Sequence, residues 1–134
     1  PQAGPETEAA WIKAAQQAKM HIIVGGEMTH QGYLKEKGGF INDNAPKRMY
    51  EIAASMGVTD FVIPGNKPKK ALDYVNLIKK KIKNPVFYSP GLVAQGGKIG
   101  DLAKKLDSWH AIIGRAIYGT NDMKKAANEF TRRL

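Results

Sequence analysis

The chain has no cysteine, so it can form neither disulfides nor thiolate metal sites. No apolar run reaches the length needed to cross a membrane as a helix. Neither GxGxxG nor GxxxxGKS/T occurs, which removes support for the common dinucleotide and P-loop sites. Histidines are few: His21, His30 and His110. No second histidine stands at metal-ligand spacing from His30, and no metal is expected. Neither a Ser-His-Asp set nor a carboxylate pair can be assembled from the strand ends. Aromatics make up only 8% of residues and do not interleave with the lysines, as a base-stacking surface would require.

Acidic residues are also scarce, 12 against 21 basic ones, for a net charge of +9. Such a balance fits nucleic acid, an anionic surface or a small anionic substrate. Its distribution decides among them. Lys67, Lys69, Lys70, Lys79, Lys80, Lys81 and Lys83 crowd one segment, and Lys124, Lys125, Arg132 and Arg133 another. Both segments read as helices with solvated outer faces, so nucleic acid is disfavoured as partner. The 134 residues favour one domain, and 43% hydrophobic with 25% charged residues is ordinary for a soluble protein. Absence of cysteine fits a reducing cytoplasm.

Apolar periodicity predicts helices over residues 5–18, 43–56, 68–82, 99–106 and 122–133. Pro5, Pro46 and Pro68 suit first turns, Asp43 or Asn44 suits a cap, and Asn121 suits the cap of the last helix. Compact apolar runs at 20–24, 60–63, 85–88 and 109–113 read as strands, each bounded by Gly or Pro. His21 and His110 read as packed core histidines. Residues 27–42 form a long glycine-bearing excursion, expected to be functional or mobile.

Alternation of helices with short apolar strands indicates a parallel α/β sheet. Two architectures fit: an open four-stranded domain, or part of a (β/α)8 barrel, which typically needs about 250 residues. In both, ligands bind at the C-terminal strand ends. The third end carries the glycine-rich loop Pro90-Gly91-Leu92-Val93-Ala94-Gln95-Gly96-Gly97, with one amide side chain among small or apolar neighbours. The fourth carries Gly114-Arg115, whose amides and guanidinium can hold a phosphate. Glu27 is the one carboxylate directly at a strand end, better suited to bond a lysine or backbone than to act as base.

These residues resemble a family. The Pro90–Gly97 stretch resembles the closing loop of orotidine 5′-phosphate decarboxylases, written PGxGAQGG. Ile113-Gly114-Arg115-Ala116-Ile117-Tyr118 is similar to that family's phosphate motif after the last strand, and Glu27-Met28-Thr29-His30-Gln31-Gly32 to its EMSHPG segment. The archaeal and bacterial short forms look closest. The resemblance implies a (β/α)8 TIM barrel, of which residues 1–134 supply the C-terminal half: about the last four strands and five helices.

It also implies the roles. Thr29 takes the pyrimidine-contacting place usually held by Ser, Gln95 bridges phosphate and pyrimidine, and Gly114 and Arg115 hold the 5′-phosphate. Pro90 joins these substrate-binding residues, and Gly91, Leu92, Val93, Ala94, Gly96 and Gly97 form the lid. Val93 replaces a family Gly and Gln31 a family Pro. The implied reaction converts orotidine monophosphate to uridine monophosphate and carbon dioxide, without a cofactor, in pyrimidine biosynthesis. The family's alternating Lys/Asp array, with its DxKxxD motif, does not occur here. No catalytic residue is therefore expected in this chain. It needs the N-terminal half, in cis or as a separate chain, and complete barrels are expected to form a homodimer. The alternative is a non-catalytic phosphate- or nucleotide-binding half-barrel that self-associates. A nucleic-acid module using the lysine helices fits less well, and a sugar-phosphate decarboxylase or synthase would lack the Ala-Gln-Gly-Gly loop.

Overall fold

A computed structural model describes residues 4–93 and 95–132, apart from the side chain of Asp101. Helices and strands alternate: α1 (Pro5–Gln17), β1 (Ile23–Gly25), α2 (Ala45–Ser55), β2 (Asp60–Val62), α3 (Pro68–Lys79), β3 (Val86–Ser89), α4 (Gly100–Ala103), β4 (Trp109–Ala111), α5 (Arg115–Tyr118) and α6 (Met123–Thr131). The strands form one parallel sheet in the order β1-β2-β3-β4, with Val24 opposite Phe61, Phe61 opposite Phe87, and Phe87 opposite Trp109. No helix among the described residues is long and apolar enough to cross a membrane.

Three helices start on a proline near their first turn, where the missing N–H is not needed. Alternate strand residues face opposite sides of the sheet. One side, carrying Phe61, Ile63 and Phe87, is buried under the helices with Tyr50, Ala53, Ala71, Tyr74, Val75 and Ile78. Tyr50 meets Phe61 edge-on at 6.2 Å between ring centres. The other side has no such cover. On it Ile23 is 48% and Ile112 46% exposed, and Tyr88 stacks on exposed His110 at 4.9 Å. Parallel sheets normally meet packed side chains on both faces, as they do in a closed barrel, and here one face lacks that layer among the described residues.

Several expectations change. His21 is not a core residue: its side chain is 68% exposed and its Nε2 lies 3.2 Å from Asp60 Oδ1. His110 is exposed on the bare face. His21 lies two residues before β1 and His110 in the middle of β4, both on the side of the sheet that the helices do not cover. The last helix is capped by Asp122, which accepts from Lys125 N at 2.9 Å, rather than by Asn121. Asp43 accepts from Glu36 N instead of capping α2, so it closes the 27–42 excursion. That excursion holds a 3-10 turn, Lys35–Lys37. The short α5 adds a helix to the five expected, directly after β4.

Candidate functional site

The C-terminal ends of the four strands lie side by side, so the segments after Gly25, Val62, Ser89 and Ala111 share one rim. The first two ends are locked together. Asn66 Nδ2 donates to Thr29 O at 2.9 Å. Lys67 Nζ donates to Glu27 Oε1 at 2.7 Å, to Met28 O at 3.0 Å and to His30 O at 3.0 Å. Tyr74 donates its hydroxyl to the other Glu27 oxygen. The Glu27 carboxylate is wholly buried, so two donors of this kind are what make its burial tolerable.

Phenols complete the frame. Glu27 N donates to Tyr50 OH, which donates to Val62 O at 2.7 Å, and Tyr33 donates its hydroxyl to Gly26 O. Burial pushes the Tyr50 phenol up to about 12. Burial first, then the bond to Glu27, hold the Tyr74 phenol well above its ordinary range. Both therefore remain proton donors at neutral pH. With its two oxygens engaged, Glu27 is a structural anion, as its strand-end position suggested, and not a free base. A groove of about 370 Å³ flanks it, bordered by Gln31, Leu34, Lys37 and Lys67.

The third strand end folds into a compact loop against this frame. Gly65 N donates to Pro90 O at 2.9 Å. Within the loop Val93 N donates to Gly97 O at 2.8 Å, and Gly96 N to Val93 O at 3.1 Å. Leu92 is buried against Gly65, where a Cβ would lie 2.8 Å from Leu92 Cδ2. Gly91, at φ +84°, faces Thr29 and the Gln95 amide oxygen. Gln95 is exposed, and neither its amide nor the half-buried Thr29 hydroxyl has a hydrogen-bond partner among the described residues. Ala94 lies outside the described residues.

The fourth end is tied to the third by Ile112 N donating to Ser89 O at 2.9 Å. Gly114 then leads into α5, with Arg115 as its first residue. The first amides of a helix have no partner inside it and attract anions. Arg115 is exposed and makes no ion pair among the described residues. The structure thus brings Thr29, Pro90, Gly91, Leu92 and Gln95 into one cluster. It puts Gly114 and Arg115 on the neighbouring strand end, with no hydrogen bond or ion pair joining them to Thr29 or Gln95 among the described residues.

Sequence reasoning missed Asn66, Lys67, Tyr50 and Tyr74. Lys67 stands among the lysines that read as solvated, yet its side chain is only 15% exposed. Its position just past a strand end, before the helix-starting Pro68, was the available signal.

No family model matches the chain. It is similar to proteins named orotidine 5′-phosphate decarboxylase: 30% identical to that of Methanococcus maripaludis over 131 residues, covering 95% of this chain and 55% of the relative. The protein of Methanocaldococcus jannaschii is 31% identical over 98% of this chain and 57% of its own length, and that of Thermoplasma acidophilum 32% over 98% and 55%. A crystal structure of the M. jannaschii decarboxylase, complexed with the inhibitor BMP, superposes with a TM-score of 0.82 at 26% identity, covering 98% of this chain and 57% of that one. The decarboxylase structure from Sulfolobus solfataricus, at 0.67 and 19% identity, shares the fold over 91% of this chain and 52% of its own. The chain spans about half the length of the curated relatives it matches, 55–57%.

Proposed function

We propose that this chain is the C-terminal half of an orotidine 5′-phosphate decarboxylase barrel. In this reading it grips the nucleotide, while an N-terminal half carries the Lys/Asp array that breaks the carbon–carbon bond. The observation that carries the reading is the approach of Gly91 to Thr29 and the Gln95 amide, two side chains whose polar groups have no hydrogen-bond partner among the described residues. Similarity over 98% of the chain, to about half of each relative, supports it.

The chemistry follows from what the residues can donate. Arg115 offers a planar, permanently charged fork to the 5′-phosphate, beside the free amides that open α5. Gln95 can donate to a phosphate oxygen and accept from a pyrimidine N–H. Thr29 offers one hydroxyl, donor or acceptor, to the base. None of these groups can take up the carbanion-like charge that forms as carbon dioxide leaves. Their contribution is remote binding energy and exclusion of water once the loop is down. The transition state is stabilised by fixed charges in the other half. The reading further holds that complete barrels pair as homodimers, that no cofactor takes part, and that the protein works in the cytoplasm, for which the lack of cysteine speaks.

The test is complementation. The chain is mixed or co-expressed with a decarboxylase N-terminal half carrying DxKxxD, and the loss of orotidine monophosphate absorbance is followed. Activity should appear with both halves and be absent from the purified chain alone. Activity of the chain alone, or an inert pair that has demonstrably associated, would overturn the assignment.

A second reading has one observation in its favour: the bare sheet face must be covered, and a second copy could cover it. It predicts a stable homodimer of the isolated chain that binds uridine monophosphate without turning over orotidine monophosphate.

A further inference from the structure

Thr29 belongs to no helix or strand, yet everything proposed of it requires a fixed position. Three carbonyl or carboxylate groups flanking it are held by a single ammonium. Lys67 Nζ reaches Glu27 Oε1 at 2.7 Å, Met28 O at 3.0 Å and His30 O at 3.0 Å, on both sides of Thr29. Asn66 holds the carbonyl of Thr29 itself. An ammonium has three protons, so Lys67 is fully used by these bonds and has none left for a ligand. Its charge is matched by the buried Glu27 carboxylate, which Tyr74 shares. The anchoring segment, residues 65–67, also touches the lid: Gly65 N bonds Pro90 O, and Gly97 packs onto Gly65 O and the Asn66 backbone.

We propose that Lys67 is the positioning residue of this site: its ammonium clamps the strand-end segment 27–30, and so sets Thr29 where the lid and the nucleotide meet. The inference rests on the reading given above but makes a separate claim about which group fixes the geometry. A merely structural role would consist in neutralising Glu27. A positioning role lies in the two carbonyl bonds. The two differ in what the double variant Glu27→Gln/Lys67→Met does: it removes the buried charge pair together, so folding stability is kept, but Met28 O and His30 O still lose their donor.

The experiment uses the complete barrel and orotidine monophosphate. For Lys67→Met and for the double variant, KM should rise about tenfold or more with kcat reduced far less, since lost positioning of a binding group weakens ground state and transition state alike. Lys67→Arg, which keeps the charge and several donors, should return KM to within about threefold of wild type. A double variant of normal stability and normal KM would overturn the clamp. If the wild-type barrel shows no decarboxylation, the functional reading has failed. The clamp is then judged on the chain alone by backbone 15N relaxation: order parameters of residues 28–30 should fall below about 0.6 in the double variant while α2 stays near 0.85. Unchanged order in 28–30 would overturn it.

Discussion

A methyl group placed on Gly91 would fall 2.6 Å from Thr29 Cγ2, well inside van der Waals contact. The loop after β3 and the segment after β1 are therefore fitted to each other at this one point, and glycine is required there twice over. Its φ of +84° disfavours any L side chain, by about 1–2 kcal/mol. The overlap with Thr29 adds to that. Gly91→Ala should lift the loop off Thr29 and weaken uridine monophosphate binding by the complete barrel about tenfold or more, a loss of about 1.4 kcal/mol or more. Titration calorimetry reads this. Thr29→Ser removes the offending methyl and should restore part of the affinity in the double variant, a coupling that a cycle of the four proteins measures. Additive losses would mean that the two residues do not meet.

Val93 sits at φ +61°, the left-handed region, with a β-branched side chain that is 40% exposed and so gains little from packing. Holding it there costs about 1–3 kcal/mol, supplied by the loop's own hydrogen bonds and the burial of Leu92. Val93→Gly removes the strain but adds unfolded-state freedom worth about 0.5–1 kcal/mol. The net expectation is a gain of about 0.5–1 kcal/mol in urea unfolding of the chain, together with tighter uridine monophosphate binding by the barrel. A destabilised Val93→Gly protein would show that the loop is not under strain at this position.

What the sequence made legible, and what it hid, follows one physical line. Short apolar strands bounded by Gly or Pro announce a buried parallel sheet, and Phe61, Ile63 and Phe87 lie at its core. The glycine-rich loop stood out in the sequence, but its close approach to Thr29 at Gly91 did not. Sequence periodicity is blind, however, to a face that has lost its cover. His21 and His110 occupy apolar strands and read as core, but the side of the sheet they share is open. Nor does periodicity see long-range polar pairing. Lys67 and Glu27 are forty residues apart, and only the parallel register that sets β1 beside β2 brings them within 2.7 Å.

Asp60 is the buried anion of the open face. Burial pushes its carboxyl up, but hydrogen bonds from Thr59 Oγ1 (2.6 Å) and Tyr88 OH (3.0 Å), with the His21 charge, outweigh this and hold it below the ordinary range. A carboxyl depressed in the folded state adds stability that is complete above its unfolded pKa, about 3.9, and is lost as pH falls through the folded value. Urea unfolding of the chain should therefore weaken below about pH 4, and Asp60→Asn should flatten that acid limb while lowering stability at pH 7. An unchanged acid limb in Asp60→Asn would assign the pH dependence to other carboxylates.

The bare face makes the most demanding prediction. Ile23 and Ile112 lie on it about half exposed, at the two edge strands, although fully burying one isoleucine is worth about 1.5–3 kcal/mol. Apolar side chains on a sheet face call for a second layer of side chains facing them. If that layer belongs to the other half of the barrel, Ile112→Asp should change the chain's own unfolding by no more than about 0.5 kcal/mol, because the side chain already meets water. Association with the N-terminal half should in contrast weaken about a hundredfold or more, since closure would bury an unpaired carboxylate, at a cost of several kcal/mol. The two measurements, urea unfolding of the chain and titration of one half into the other, separate the effects. Ile112→Asp chains that complement as well as wild type would show that the halves join elsewhere. Variant chains that lose only a concentration-dependent homodimer, with complementation intact, would instead assign the face to a second copy.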